Sequence, residues 1–203
     1  MASSLINLLK KIPIDLGQET VADYTEGKQI ALRLVPTEGQ GKSALDVGAR
    51  MGEQTRFLTQ RGYRVTSVDI EPRFEACLTM DANQPLPFKD NQFDLIWCSE
   101  VIEHLQDPAH CISEFRRITR SGGHIIMTTP NSYAWFFRLF ALFGLPPHRL
   151  QRADHIHFFS LDEVRDIAPD ADLYGYFPYM LIKRTIRKSL NMLTPTFIIH
   201  IKT

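Results

Sequence analysis

The sequence predicts a doubly wound α/β fold, a mostly parallel seven-stranded sheet with helices on both faces, and three observations lead to it. Short apolar strands alternate with helical segments from residue 43 onward. A glycine turn, Gly48-Ala49-Arg50-Met51-Gly52, joins the first of these strands to a helix. The runs from Phe93 to Cys98 and from His124 to Thr128 are almost continuously apolar, as central strands covered on both faces must be.

Taken in order, Met1 to Lys11 reads as a short helix, with its lysines after the apolar residues and no small-residue cleavage site, so it does not resemble a secretory signal. Between Gln18 and Val35 the apolar residues Val21, Tyr24, Ile30, Ala31, Leu34 and Val35 recur at helical spacing, and Pro36 with the loop Glu38-Gly39-Gln40-Gly41 ends that helix. Strands follow near 43–48, 64–70, 77–81, 92–98 and 123–129, with helices near 53–61 and 107–119. The C-terminal portion reads as a helix from Leu161 to Ile167, a strand from Leu173 to Phe177, a basic helix from Tyr179 to Asn191 and a last strand from Thr196 to Lys202. No repeat or linker interrupts the pattern, so one domain is expected over 1–203: a helical segment to 41, a ligand-binding core over 42–130, a covering insertion over 131–160 and terminal elements from 161.

Composition narrows the function classes. With 203 residues, 23 basic and 23 acidic side chains, the chain has no global positive field, and nucleic acid is not an expected partner. Cys77, Cys98 and Cys111 are odd in number and lack metal-ligand spacing; two of them lie in apolar stretches where a free thiol packs as a small hydrophobe, a reducing cytoplasm is expected, and no metal centre is expected. The longest apolar block, Tyr133 to Pro147, is broken by Arg138 and Gly144 and falls short of the roughly 20 residues that span a bilayer.

The chemistry concentrates in the first two strands. Gly48 and Gly52 let the main chain come close to a ligand, the following helix offers unpaired N–H groups, and Asp69, ending the second strand, can accept from two ribose hydroxyls. This is the pattern of a nucleoside site. A lone glycine turn also fits nicotinamide and flavin enzymes.

Further residues narrow that choice. Asp46, Gly48 and Gly52 with Asp69, the pair Asp81-Ala82, the stretch Ser99-Glu100-Val101-Ile102-Glu103-His104-Leu105-Gln106-Asp107-Pro108, Gly122-Gly123, Thr129-Pro130-Asn131 and Asp154-His155-Ile156-His157-Phe158-Phe159-Ser160 fall in order along the chain. Over roughly residues 43–165 the chain resembles the class I S-adenosylmethionine-dependent methyltransferases, in particular their small single-domain group. That resemblance implies a Rossmann-like sheet whose last strand runs antiparallel, and S-adenosyl-L-methionine as cofactor. It implies that Asp46, Gly48 and Gly52 bracket the amino-acid end of the cofactor, that Asp69 holds the ribose, that Ile70 packs on the adenine, that Asp81 and Ala82 meet its amino edge, and that Ser99 and Glu100 line the methyl-bearing side. Arg50 stands where the family pattern has its middle glycine; if the position needs positive φ it carries a steric cost, and otherwise its side chain can point outward.

Methyl transfer from a sulfonium needs alignment and exclusion of water more than a dedicated base. For a hydroxyl acceptor, His104, His155 and His157 are the candidate proton acceptors, and alternation about Ile156 leaves only one of the last two facing the site, His155 being preferred. Glu103 reads as a helix-start acid complementing a dipole. The segment Tyr133 to Phe143 is either a helix packed into its own domain, an acceptor cover, or an element in shallow membrane contact. Lys183, Arg184, Arg187 and Lys188 are expected on one helical face, solvated or assisting contact with an anionic surface. The expected partner is a small-molecule acceptor, with a lipophilic one as one reading, O- or N-methylated, with peripheral membrane contact as the further reading and no obligate protein partner. A methyltransferase-like scaffold with a site compromised by Arg50 is the alternative. A nicotinamide oxidoreductase is disfavoured, since no Ser/Tyr/Lys constellation is found.

Overall fold

The computed structural model describes residues 25–151, 154–177 and 183–203. The elements are α1 (Glu26–Leu34), β1 (Ser43–Val47), α2 (Glu53–Gln60), β2 (Arg64–Asp69), β3 (Cys77–Thr79), β4 (Phe93–Ser99), a 3-10 turn (Ile102–His104), α3 (Pro108–Ile118), β5 (Thr119–Pro130), α4 (Trp135–Leu142), α5 (Pro147–Leu150), α6 (Leu161–Ile167), β6 (Asp172–Phe177), β7 (Arg184–Ile186), α7 (Leu190–Leu193) and β8 (Thr196–Lys202). The strand order is β3-β2-β1-β4-β5-β8-β6-β7. β1 to β5 pair in parallel; β8 runs antiparallel to β5 and to β6, and β7 antiparallel to β6.

The two-residue period of the central strands sorts their side chains onto two faces. Leu45, Ile96, Cys98, Ile125 and Met127 join Ile112 and Phe115 of α3 and Val164 of α6 in one core. Ala44, Leu95, Trp97 and Ile126 join Ile30 and Ala31 of α1 and Leu58 of α2 in the other. Strands buried on both sides can carry no solvating positions, which is why their sequences read as unbroken apolar runs.

Local signals set the helix starts. The Asp107 carboxylate accepts the His110 N–H at 2.9 Å with Pro108 at the first helical position, and Ser160 with Glu163 forms a reciprocal capping box. All three cysteines are buried free thiols. Among the described residues no helix is long and apolar enough to cross a membrane.

Three expectations change. The sheet has eight strands rather than seven. β5 begins at Thr119 rather than near 123, because Thr119 already pairs with Phe93 ahead of an irregularity in the ladder. The third change is the basic helix from Tyr179 to Asn191. Residues 178–182 lie outside the described residues, Arg184–Ile186 forms strand β7, and only Leu190–Leu193 is helical.

The open edge of β6 offers backbone partners, and the β-branched Thr185 and Ile186 fit a pleated surface, so pairing there prevails over helical spacing. Arg187 then pairs with Asp172 and lies over the Tyr174 ring at 4.7 Å, while the Lys183 ammonium sits 6.0 Å from the Tyr176 ring. No shared basic helical face results. The short helix expected at Met1 to Lys11 lies outside the described residues, as does the stretch Gln18 to Tyr24 of the second expected helix.

One cross-strand pair makes stability depend on pH. His124 Nδ1 and His200 Nε2 lie 2.8 Å apart, with the rings stacked at 14°. Partial burial holds both imidazoles below the usual 6.5, with each other's proximity adding to this at His124 and Lys202 adding at both. As pH falls through 6.5 the unfolded chain takes up protons that the folded chain refuses, so this pair loses stability in that direction. Buried acids such as Asp46, pushed up to about 6, titrate in the same window with the opposite sign, so a difference measurement is needed. The urea-unfolding stability of the wild type relative to His200→Gln is expected to decline from pH 7 to pH 5; a difference that stays flat contradicts the pairing.

Candidate functional site

Strand order reverses between β1 and β4, and in open α/β sheets that switch point is where a crevice forms beyond the carboxyl ends of the strands. A cavity of about 560 Å³ opens there. Its walls come from the turn after β1, the Asp69-Ile70-Glu71 segment after β2, residues 80–83 after β3, residues 99–101 after β4, the turn Glu103–Leu105, and Asp154 with His155.

The glycine turn is bent back on β2. Gly48 and Ala49 both donate N–H bonds to the Val68 carbonyl, at 2.9 and 3.1 Å. Gly48 has φ +76°, and a Cβ there would lie 2.3 Å from Val101 Cγ2, so both backbone conformation and the β4 loop exclude a side chain. Gly52, at φ +78°, caps α2 without a side-chain acceptor, which leaves the first N–H groups of that helix to other partners.

Arg50 resolves the question its sequence position raises. It has φ +46°, a left-handed conformation costing roughly 1–2 kcal/mol for an L-residue. Its residue is exposed, and its backbone N–H donates to Asp69 Oδ2 at 2.9 Å. The departure from glycine therefore strains the turn without breaking its link to the acid.

Asp69 is the node of the site. Its Oδ1 accepts the Glu71 N–H at 2.8 Å while Oδ2 accepts from Arg50, and each carboxylate oxygen keeps a second lone pair. Next to it Ile70 is 63% exposed, an apolar surface beside a polar anchor. Asp81 Oδ1 accepts both the backbone and side-chain N–H of Asn83 at 2.9 Å, and Asn83 Oδ1 accepts the Gln106 N–H at 2.7 Å, which fastens the β3 loop to the β4 loop.

Of the residues expected at a site, Gly48, Asp69, Ile70, Asp81, Ala82, Ser99, Glu100, His104 and His155 are on the cavity wall. Asp46 and Gly52 are not. Asp46 is 1% exposed and stands behind the turn, where Thr55 Oγ1 donates to its Oδ2 at 2.5 Å and also lies 2.8 Å from Ser67 Oγ. Burial pushes the Asp46 carboxyl up to about 6 against the Thr55 hydrogen bonds. Its position suits tethering α2 to β1 and orienting the glycine turn from behind.

Beyond β4 the wall becomes acidic and imidazole-bearing. Glu100 has φ +57°; its N–H donates to the Thr128 carbonyl at 3.0 Å, and its Oε1 accepts from Thr128 Oγ1 at 2.9 Å. Glu103 is 1% exposed, with Oε2 accepting from Thr129 Oγ1 at 3.1 Å. Burial and the Glu100 carboxylate hold the Glu103 carboxyl well above the usual range. The Glu103 carbonyl receives the N–H groups of Ile156 and His157, at 3.1 and 3.0 Å, so the 154–157 segment is fastened across the turn. His155 faces the cavity, whereas His157 stacks on Phe159 at 5.5 Å.

Sequence reasoning missed several wall residues, Lys28 and Gln54 among them, and misread Glu103. Lys28 and Gln54 are buried on the wall, contributed by α1 and α2. The Lys28 charge favours the ionised forms of both Asp46 and Glu103. Nothing in the local pattern marks Lys28 except that it falls on the buried side of its helix. Glu103, taken as a dipole-complementing acid, is instead a core carboxylate. One potential ligand atom from each of Glu103, His104 and His155 lies within 4.8 Å of the other two.

The aromatic segment is divided. Phe136 and Phe137 pack with Ala134 and Leu145 in a small separate cluster, while Trp135, Leu139, Leu142 and Phe143 are exposed. No residue of 133–143 is on the cavity wall.

Comparison with known proteins finds methyltransferases. Residues 45–127 match the family model described as a methyltransferase domain. The chain is 31% identical over 118 residues to a ubiquinone biosynthesis O-methyltransferase of Pseudomonas paraeruginosa, covering 51% of this chain and 50% of that protein. It is also 31% identical over 120 residues to a probable chloroplastic tocopherol O-methyltransferase of Oryza sativa subsp. japonica, covering 50% of this chain and 33% of that one. The chain thus spans about half or less of the length of these relatives. The fold matches that of the 1,6-didemethyltoxoflavin-N1-methyltransferase of Burkholderia thailandensis, whose structure holds 1,6-didemethyltoxoflavin and S-adenosylhomocysteine, with TM-score 0.60 at 15% identity over 100% of this chain and 88% of that one.

Two substitutions test the turn. Gly48→Ala is expected to lower the unfolding free energy by on the order of 2–4 kcal/mol, from left-handed strain plus the clash with Val101; adding Val101→Ala is expected to restore only the clash component. Arg50→Gly is expected to leave stability unchanged or raise it by up to ~1 kcal/mol in chemical denaturation, and a clear loss would contradict the strain assigned to that position.

Proposed function

We propose that this chain, a class I methyltransferase domain by its match and its fold, is an S-adenosylmethionine-dependent enzyme that methylates a small-molecule acceptor, at oxygen and with a lipophilic body. The observation that carries the reading is Asp69: an acid at the end of β2, tied to the glycine turn, beside an exposed apolar residue and within a cavity of about 560 Å³. That volume lies in the range of roughly 300–1,000 Å³ common to small-molecule sites, and the walls offer the donor and acceptor types a nucleoside with an amino-acid tail needs. The residues fit the group.

In this reading the free lone pairs of Asp69 accept from the ribose hydroxyls, Ile70 covers one face of the adenine, and Asp81 with Ala82 meets its polar edge. The unpaired N–H groups at the start of α2 favour the carboxylate end. Ser99 and Glu100 border the reacting side. When bound, the cofactor supplies an electrophilic methyl carbon on a sulfonium.

The chain's remaining work is to align the acceptor, exclude water and remove one proton, for which His155 and His104 are placed on the wall. The exposed apolar Met51, on the cavity wall, suits a lipophilic acceptor. So do the names of relatives from ubiquinone biosynthesis and tocopherol methylation. A scaffold whose site Arg50 has compromised is less well supported, because the Arg50 N–H still reaches Asp69.

Calorimetry with S-adenosylhomocysteine is expected to give saturable one-site binding. Replacing Asp69 by Ala is expected to weaken it by roughly 10- to 100-fold, the scale of one or two charge-assisted hydrogen bonds, with Asp69→Asn intermediate. No saturable binding by the wild type would favour the scaffold. Mass spectrometry of extract incubated with the protein and isotopically labelled donor is expected to show a labelled small molecule.

A further inference from the structure

We infer that Glu103, His104 and His155 form a binding site for a divalent first-row transition-metal ion on the wall of the cavity. Two of the three come from one turn and the third from a segment some fifty residues later, and one potential ligand atom from each lies within 4.8 Å of the other two. Ligands on a single ion with bonds of ~2.1 Å lie up to about 4.2 Å apart, so small side-chain rotations complete the set.

Three further features fit coordination. Glu103 Oε1 is buried without a hydrogen-bond partner, while Oε2 is fixed by the Thr129 hydroxyl; an oriented carboxylate with one open oxygen in a dry site is costly unless a cation meets it. His104 Nδ1 lies 2.9 Å from the Asp154 carbonyl, which fixes this nitrogen as the N–H donor and leaves Nε2 with its lone pair. A ring nitrogen donating to a carbonyl is the usual support of a metal-bound histidine. Finally, the Ile156 and His157 N–H groups bond the Glu103 carbonyl, holding His155 against this turn with its ring 4.8 Å from that of His104.

Two imidazoles and one carboxylate suit Mn²⁺, Co²⁺ or Zn²⁺ far better than the all-oxygen preference of Mg²⁺ or Ca²⁺. Three protein ligands leave positions open toward the cavity, to which all three residues belong. Resting on the methyltransferase reading, the ion would take the acceptor's hydroxyl oxygen there and lower its pKa, as metals do for bound water. With both imidazoles on the ion, the ion would replace them as the aid to deprotonation, and the O–H bond would break with its proton passing to solvent. The oxygen forms a bond to the methyl carbon as the C–S pair returns to sulfur.

The test uses the full chain stripped with EDTA and titrated with Mn²⁺ by calorimetry and electron paramagnetic resonance, in parallel with S-adenosylhomocysteine. One Mn²⁺ per chain is expected, preferred at least ~10-fold over Mg²⁺. His104→Ala, His155→Ala and Glu103→Gln are each expected to weaken it by ~10-fold or more while S-adenosylhomocysteine binding and the melting curve stay near wild type. Should His155→Ala or Glu103→Gln fail to fold, His104→Ala, at a partly exposed side chain, decides. Absence of saturable Mn²⁺ and Zn²⁺ binding, or binding indifferent to all three substitutions, overturns the metal site even if S-adenosylhomocysteine binds. Intact Mn²⁺ binding with no S-adenosylhomocysteine binding overturns the methyltransferase reading and leaves the metal site standing.

Discussion

The close approach of the β1 turn to the end of β2 is the constraint on which the rest of the site depends. Two N–H groups of the turn share the Val68 carbonyl, and a third reaches the carboxylate of the next residue, Asp69. These bonds need two consecutive peptides to pass over the strand end with no side chain between them and the β4 loop, which only glycine at 48 allows. Once the turn is seated, the cavity has a floor, the start of α2 faces it, and Asp69 is held with lone pairs to spare. An acid in this place would otherwise swing toward solvent.

Behind that turn lies a second layer that does not touch the cavity. Asp46, Thr55 and Ser67 form a short buried chain of hydrogen bonds joining β1, α2 and β2. A buried carboxyl is costly, and its raised pKa registers that cost; the Thr55 bonds and the Lys28 charge offset part of it. The same Lys28 charge also favours ionised Glu103 on the cavity wall. Helix α1, peripheral to the glycine turn in sequence, thus supplies charge both to the layer behind the turn and to the cavity wall.

The contrast between the two halves of the chain has a physical origin. In the parallel half, strand and helix periodicities, Asp107-Pro108 at one helix start and Ser160 with Glu163 at another are local signals, so β1, β2, β4, α3 and α6 are legible within a residue or so. At the far edge, residues 183–188 carry a helical spacing of charges, yet Arg184–Ile186 pairs with the free edge of β6 as a strand and Arg187 pairs with the Asp172 carboxylate. Edge pairing is a non-local interaction that a one-dimensional pattern does not contain.

The order of residues along the chain determined by itself the doubly wound sheet, the glycine turn and the acid that ends β2, because each depends on neighbours within a few positions. Only the tertiary structure decided that Asp46 stands behind the site, that Lys28 and Gln54 reach it, that the edge of the sheet gains an eighth strand, and that Glu103 and His104 meet His155. Burial and convergence are properties of packed elements: the carbonyl of Glu103 must first capture the backbone of Ile156 and His157 before an imidazole fifty residues away can share its surroundings.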